Sequence, residues 1–348
     1  MLRVLIADDS ATARELLIEI VFMDPQMEVC GIATNGSEAV AMTKAQRPDI
    51  ILMDIEMPGL NGFQATKIIM EEQPTPIIIV SGHGAASEVS GAMEALRAGA
   101  LSILPKPSGA GSPRFHKEAE HLLSVLRTMS KVAVRQSRPR PDLPVSRAPA
   151  PPATTMSRRR VELVVVTAST GGPAALSQIL AALPATFTTP IVVMQNLPPG
   201  FVAGLRDELS QLSLLRVKVA HHLARLEPKT VYLAASGRHL VVRDRTTLGL
   251  VQQRESDQLC PSADALFTSA AQVFGAATVA LVLTGTGTDG LEGCRAVKAA
   301  GGLVAAQDEQ SSVIFGMPMS AVKAGVAQHI LPLHDIARWL TNLTASPT

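Results

Sequence analysis

Residues 161–176 read VELVVVTASTGGPAAL, and the rest of the chain is best understood outward from them. A run of apolar, mostly β-branched residues, Leu163 to Val166, ends abruptly in Thr167-Ala168-Ser169-Thr170-Gly171-Gly172, and Pro173 opens an alanine-rich helical pattern. That order predicts a buried strand, a tight glycine turn and a helix whose first turn proline pre-sets. A serine at such a corner is lifted clear of the sheet. It sits beside unpaired backbone N–H groups at a helix N-terminus, which can stabilise an oxyanion or a bound anion. Ser169 is therefore the candidate nucleophile, with Thr170 and Gly171 in the turn that would face an oxyanion. A simple anion-binding turn is the competing reading. A dinucleotide site fits less well, because the turn after Val166 lacks the GxGxxG spacing.

With 348 residues the chain has room for two domains, each with its own core. No apolar run reaches the length of a membrane-spanning helix, so direct membrane insertion is not expected. Asp8 and Asp9 directly follow the first apolar run, which reads as a strand and not as a signal peptide. Cys30, Cys260 and Cys294 are isolated, with no CxxC, which fits a reducing cytoplasm and gives no metal-site signal. Aromatics make up 3% of the residues, leaving little to stack on bases, so a nucleic-acid partner is not expected. The net charge of +1 hides an asymmetry: Lys+Arg against Asp+Glu is 10 against 16 over residues 1–130, 8 against 1 over 131–160, and 13 against 13 over 161–348. An acidic domain, a basic tether and a neutral domain follow one another.

The acidic part, residues 1–122, alternates five short apolar runs (3–7, 27–33, 49–54, 76–80 and 101–105) with helical patterns. Such alternation predicts a doubly wound, flavodoxin-like α/β domain with its site at the carboxyl ends of the strands. The polar residues fall there: Asp8 and Asp9 after the first run, Asp54 after the third, Ser81 after the fourth and Lys106 after the fifth. Three carboxylates on adjacent strand ends would make a hard-oxygen Mg²⁺ site. A metal-neutralised carboxylate can attack phosphate while a lysine and a hydroxyl hold the transferred oxygens. Helix capping is the bland reading of any one of these aspartates, and their combination weighs against it.

Residues 123–160 form the expected linker. From Lys131 to Arg160 it holds six prolines and seven arginines without periodicity, a composition that cannot bury enough surface to fold alone. Beyond it, residues 161–348 repeat β runs at 191–195, 215–220, 230–234, 239–243, 277–283 and 302–307, with helical segments between several of them. This predicts a second α/β domain on a mostly parallel sheet, with an antiparallel portion between 230 and 252. Its polar strand ends are Ser169, the segment Gln195-Asn196-Leu197-Pro198-Pro199-Gly200-Phe201, and the glycine-rich turn Leu283 to Gly290 containing Thr286 and Asp289. Asp289 alone reads equally well as the cap of the helix that follows the turn.

The motifs IADDSATAREL, MDIEMPGLNG, SGH and LPKP make the first domain resemble a bacterial response-regulator receiver. TASTGGP, PPGF, VYLA, CPSADALF, LTGTGTDG and VIFGMP make the second resemble the catalytic domain of the CheB family, chemotaxis protein-glutamate methylesterases and protein-glutamine glutaminases. The resemblance implies that a histidine kinase phosphorylates Asp54, that Asp8, Asp9, Asp54 and the Glu56 backbone carbonyl bind Mg²⁺, and that Ser81 and Lys106 carry the switch. It implies a methyl-accepting chemoreceptor as substrate and no cofactor in the second domain. Of the family's serine, histidine and aspartate, the first carries over to Ser169 and the last to Asp289.

The histidine before the PPGF motif does not carry over; Asn196 stands there. A triad base takes the proton from the serine hydroxyl and later returns it to the leaving group. An asparagine amide accepts a hydrogen bond but is far too weak a base for that transfer. In a serine protease, losing the base costs roughly 10⁶ in kcat, some 8 kcal/mol of barrier. A catalytically weak or inactive phospho-regulated binding protein is therefore the alternative function. His221 or His222, after the run 215–220, could stand in for the base, and His239 opens another run. Thr286 occupies a position where the family usually has methionine, close to the nucleophile.

Overall fold

The computed structural model describes residues 1–82, 86–132, 134, 160–198, 200–253 and 259–344, with no account of the side chains of 86–88. Most of the predicted linker, His83 and Pro199 lie outside the described residues. No helix among the described residues is long and apolar enough to cross a membrane.

The first unit runs β1 (Leu2–Ala7), α1 (Ala11–Phe22), β2 (Met27–Ala33), α2 (Gly36–Gln46), β3 (Ile50–Met53), α3 (Gly62–Glu72), β4 (Ile77–Ser81), α4 (Ala86–Ala98), β5 (Ser102–Pro105) and α5 (Phe115–Met129). The strands pair in parallel in the order β2-β1-β3-β4-β5. Their sequences are near-continuous Val, Ile and Leu because helices cover both faces of the sheet. Local signals close the helices. Ser10 caps α1, and Asn61 with Gln64 makes a reciprocal capping box at α3. Helix α5 runs on to Met129, past the 122 boundary expected from the sequence. Its apolar residues recur at helical spacing, so Leu122, Leu123, Val125, Leu126 and Met129 all bury against this core and belong to it rather than to the linker.

The second unit runs β6 (Leu163–Ala168), α6 (Gly172–Ala182), β7 (Ile191–Gln195), α7 (Phe201–Leu212), β8 (Arg216–Val219), β9 (Thr230–Leu233), β10 (Arg238–Asp244), β11 (Thr247–Gln252), α8 (Ala263–Phe274), β12 (Thr278–Val282), α9 (Leu291–Ala299), β13 (Leu303–Gln307), α10 (Met317–Lys323), β14 (His329–Leu331) and α11 (Leu333–Thr344). Seven strands form one parallel sheet, ordered β14-β13-β12-β6-β7-β9-β8. The antiparallel portion expected between 230 and 252 is narrower than that: β9 belongs to the parallel sheet, and only β10 and β11 form a separate hairpin.

Each sheet reverses its winding once. In the first, β1 is flanked by β2 and β3; in the second, β6 is flanked by β7 on one side and the much later β12 on the other. The crevice at such a reversal, outside the carboxyl ends of the strands, is where doubly wound sheets hold ligands.

The two units touch through α4 and α7. A Cβ on Gly204 would lie 2.5 Å from Val89 Cγ1 and 3.2 Å from Met93 Cγ, so α4 packs directly on the backbone of α7. Arg97 Nε meets Glu208 Oε1 at 2.9 Å beside that contact. Val313 and Ile314, before α10, also pack against the cluster built on β1, β3, β4, α1 and α5.

Removing a buried side chain from the extension of α5 tests its place in the first core. Leu126→Ala should destabilise that unit by about 2–5 kcal/mol in urea unfolding; a change near zero would return 123–129 to the linker.

Candidate functional site

The reversal crevice of the first sheet gathers the acidic residues. Asp8 and Asp54 are buried, Asp9 is exposed, and carboxylate oxygens of the three lie within 4.8 Å of one another. Lys106 reaches in from the end of β5, with Nζ 2.8 Å from Asp8 Oδ2 and 2.9 Å from Asp54 Oδ2. Its backbone N–H donates to the Ser81 carbonyl at 2.8 Å, tying together the ends of β4 and β5. Asp54 also accepts from the Ile55 N–H at 2.8 Å. Burial pushes the Asp54 carboxyl up to about 6, against the pull of Lys106. Burial works against the Lys106 ammonium, yet the two carboxylates outweigh it and raise its pKa. The three converging carboxylates are a donor set that suits a small hard cation such as Mg²⁺, while the Lys106 ammonium, with no lone pair to offer, balances their charge from the side. Ser81 is buried at its strand end, and Glu56 is exposed in the loop after β3.

At the reversal of the second sheet, β6 and β12 end in turns that touch. A Cβ on Gly285 would lie 2.7 Å from Ser169 Cβ and 2.5 Å from Met317 Sδ, so only glycine lets the two turns meet. Ser169 N–H donates to the Thr284 carbonyl at 3.1 Å, and the Gly285 N–H to the Ile314 carbonyl at 3.0 Å. Thr286 follows, half-buried, its backbone running beside Gly316. On the other side of β6, Ala168 pairs with Gln195 in register, and the Asn196 N–H donates to the Ala168 carbonyl at 3.1 Å. Ser169 and Asn196 are thus neighbours across adjacent strand ends.

Among the described residues, neither the Ser169 hydroxyl nor the Asn196 side chain makes a hydrogen bond, and the N–H groups of Thr170 and Gly171 make none either. The turn therefore offers a hydroxyl and two backbone donors together.

Asp289 is engaged elsewhere. It accepts from Ser262 Oγ and Ala263 N–H, both at 2.8 Å, and from Asp264 N–H at 3.3 Å. Asp289 does not cap the helix after the turn, the alternative its position left open, but caps α8, whose open N-terminal amides point at this carboxylate. Asp264 beside it accepts from the Gly293 N–H at 2.7 Å; its carboxyl is raised by burial, with the Asp289 charge adding to the rise.

The histidines divide. The Leu250 N–H donates to His222 Nδ1 at 3.1 Å, which ties His222 to the β10–β11 hairpin, and His221 Nδ1 lies 3.0 Å from the carbonyl of its neighbour His222. His239, which sequence reasoning noticed only as the start of a run, lines a cavity of about 830 Å³ together with Ser262, Asp264, Thr288 and Asp289. Cys294 is no competing nucleophile, since burial pushes its thiol up to about 12. Sequence reasoning placed Gln195 and Thr284 in polar strand-end segments but gave neither a role; both are buried polar side chains that hold the Ser169 turn.

Two consequences are measurable. Because Asp54 binds its proton more tightly folded (about 6) than its ordinary 3.8, the metal-free protein loses stability as pH rises between those values. Asp54→Asn should therefore raise the melting temperature at neutral pH in chelator, with the gain vanishing near pH 4; a pH-independent difference would contradict the burial argument. Asp289→Ala should cost about 1–2 kcal/mol in urea unfolding through the lost α8 cap, whatever its effect on activity.

Comparison with known proteins bears on both crevices. The CheB methylesterase family model matches residues 164–340, and the response regulator receiver domain model matches residues 4–113. The chain is 44% identical over 341 residues to "Protein-glutamate methylesterase/protein-glutamine glutaminase 4" of Myxococcus xanthus, covering 98% of this chain and 96% of that one. It is 38% identical over 351 residues to the protein-glutamate methylesterase/protein-glutamine glutaminase of Thermotoga maritima, covering 99% and 98%. The crystal structure of the Thermotoga maritima CheB methylesterase catalytic domain aligns with a TM-score of 0.51 at 36% identity, covering 53% of this chain and 98% of that one. With its glycine-turn serine at the sheet reversal and its aspartate cluster ahead of it, the chain belongs to the CheB methylesterase family of carboxylic-ester hydrolases and carries a response-regulator receiver domain before the catalytic one.

Proposed function

We propose that this chain is a phosphorylation-regulated hydrolase that removes methyl groups from glutamate methyl esters, and deamidates glutamines, on methyl-accepting chemoreceptors during chemotactic adaptation. The observation that carries this reading is the Ser169 corner, where a hydroxyl lies next to two backbone N–H groups and none of the three is bonded to a described residue. Ser169 Oγ would attack the side-chain acyl carbon. The tetrahedral oxyanion would collapse with loss of methanol from an ester, or ammonia from an amide, and water would then release glutamate from the Ser169 ester. Both substrates pass through one acyl-enzyme, so one pocket serves both.

The weak point is the proton. Asn196 adjoins Ser169 but cannot take it, and Asp289 is committed to α8. That observation favours a second reading, a binding protein that keeps the phospho-switch and the receptor surface but turns over little.

Regulation would come from the receiver. A chemotaxis histidine kinase would supply the phosphoryl group to Asp54, with Asp8, Asp9, Asp54 and the Glu56 carbonyl holding Mg²⁺, which neutralises charge on the phosphoryl oxygens. Lys106 and Ser81 would hold the transferred oxygens and pass the change on. Two contacts support coupling to the catalytic turn. Gly204 and Glu208 lie on the helix that follows the Asn196 loop, and Val313, packed against the receiver core, touches Gly171.

Methanol release from a methylated receptor fragment tests this directly. A phosphodonor should stimulate release in the wild type but not in Asp54→Asn, and Ser169→Ala should release none. Asn196→His should raise turnover by at least about 10²-fold. Wild-type release equal to that of Ser169→Ala, with Asn196→His equally silent, would leave the binding-protein reading.

A further inference from the structure

Resting on the ester-hydrolase reading of Ser169, we propose that Gln195 is a positioning residue for this reaction: with Thr284 it pins the carbonyls of Ser169 and Thr170, so that the N–H groups of Thr170 and Gly171 stay turned toward the developing oxyanion.

The argument starts from the planarity of the peptide unit. In a trans peptide the C=O and N–H point in opposite directions, so anchoring the carbonyl of one residue fixes the N–H of the next. Gln195 Nε2 donates to the Ser169 carbonyl at 2.9 Å, and the same carbonyl accepts the Gly172 N–H at 2.9 Å. Thr284 Oγ1 donates to the Thr170 carbonyl at 2.9 Å. Two successive peptide units are therefore held by their carbonyls, and the N–H groups at their opposite ends point away from these anchors, bonded to no described residue.

Both anchors are themselves fixed. Gln195 is 5% exposed, and its Nε2 also donates to the Asn196 carbonyl at 3.0 Å. The reverse amide orientation would set Oε1 against two carbonyls, so the acceptors decide which atom is nitrogen. A Cβ on residue 172 would lie 2.0 Å from Gln195 Oε1, so Gly172 leaves the room the amide occupies. Thr284 is 1% exposed. It receives the Ile314 N–H on Oγ1 at 2.9 Å, and its own N–H donates to Gln307 Oε1 at 2.9 Å. Gln195 thus joins the backbone of the nucleophile to the backbone of the residue at the base position, through a single side chain that touches no reacting atom.

Such a residue acts on the transition state and not on substrate binding. In the full-length protein, with methanol release as the readout, Gln195→Met should lower kcat roughly 10- to 100-fold and leave KM within about twofold. Gln195→Glu should lose as much near pH 8 and recover relative to wild type as pH falls toward about 5.5, because a protonated carboxyl regains an O–H donor. That acid recovery is a signature a misfolded chain cannot give. Thr284→Val should lower kcat in the same sense. An unchanged kcat in Gln195→Met, a loss confined to KM, or a Gln195→Glu profile parallel to wild type would overturn the proposal. If the wild type turns over too slowly to measure, the same comparison is made in the Asn196→His background. No Ser169-dependent release in either background overturns the ester-hydrolase reading and this proposal with it; Ser169-dependent release indifferent to Gln195 overturns this proposal alone.

Discussion

Both sites depend on one topological constraint: each parallel sheet changes its direction of winding once, and the chain cannot cover the crevice left there. At that point the loops on either side diverge and leave the strand ends open to a ligand. In the first sheet the ends that flank the crevice belong to β1 and β3, which carry Asp8, Asp9 and Asp54. In the second they belong to β6 and β12, which carry Ser169 and the turn from Thr284 to Asp289. The second crevice is narrow because Gly285 lies against Ser169 with no side chain between them. Reactive groups appear in this fold where the sheet cannot be closed.

What fills each crevice differs in kind. The first is a charge problem, with buried carboxylates and one ammonium held in a balance that leaves Asp54 with a raised pKa. Phosphorylation at Asp54, as proposed, would draw both its cation and its phosphoryl group from outside the chain. The second is neutral, a backbone turn anchored by amide and hydroxyl side chains. The only carboxylate near it, among the described residues of that turn, is spent on the amides of α8. Electrostatic force thus organises the receiver crevice, and backbone geometry the catalytic one.

Much of this was legible in the sequence because strand ends announce themselves. The apolar run from Leu163 to Val166 can be read without knowing its partner strands: it gives way within a few residues to a serine and two glycines, and that punctuation places Ser169 on the corner where the structure has it. The aspartates after β1 and β3 were readable for the same reason. Three things were not. Which helix Asp289 caps depends on α8 approaching from residues 263–274, a contact between segments well separated in the chain. Gln195 sits at the end of a buried strand, where a polar residue could equally face solvent; its role appears only once β7 is placed beside β6. The boundary at 122 cut through the last helix of the first domain, because the basic, proline-rich composition that follows blurs the end of the α5 apolar stripe.

Helix α7 carries a consequence for how this sequence can change. Its residues Phe201, Leu205 and Leu209 are locked into the catalytic core, while Gly204 and Glu208 face the receiver, and its first turn continues directly from the Asn196 loop. Ala203, Asp207, Ser210, Gln211 and Leu212 are exposed, so these obligations fall on one side of the helix. Drift at Gly204 or Glu208 would have to be matched by Val89, Met93 and Arg97 on α4, so a receiver taken from a relative would seat only against a compatible α7.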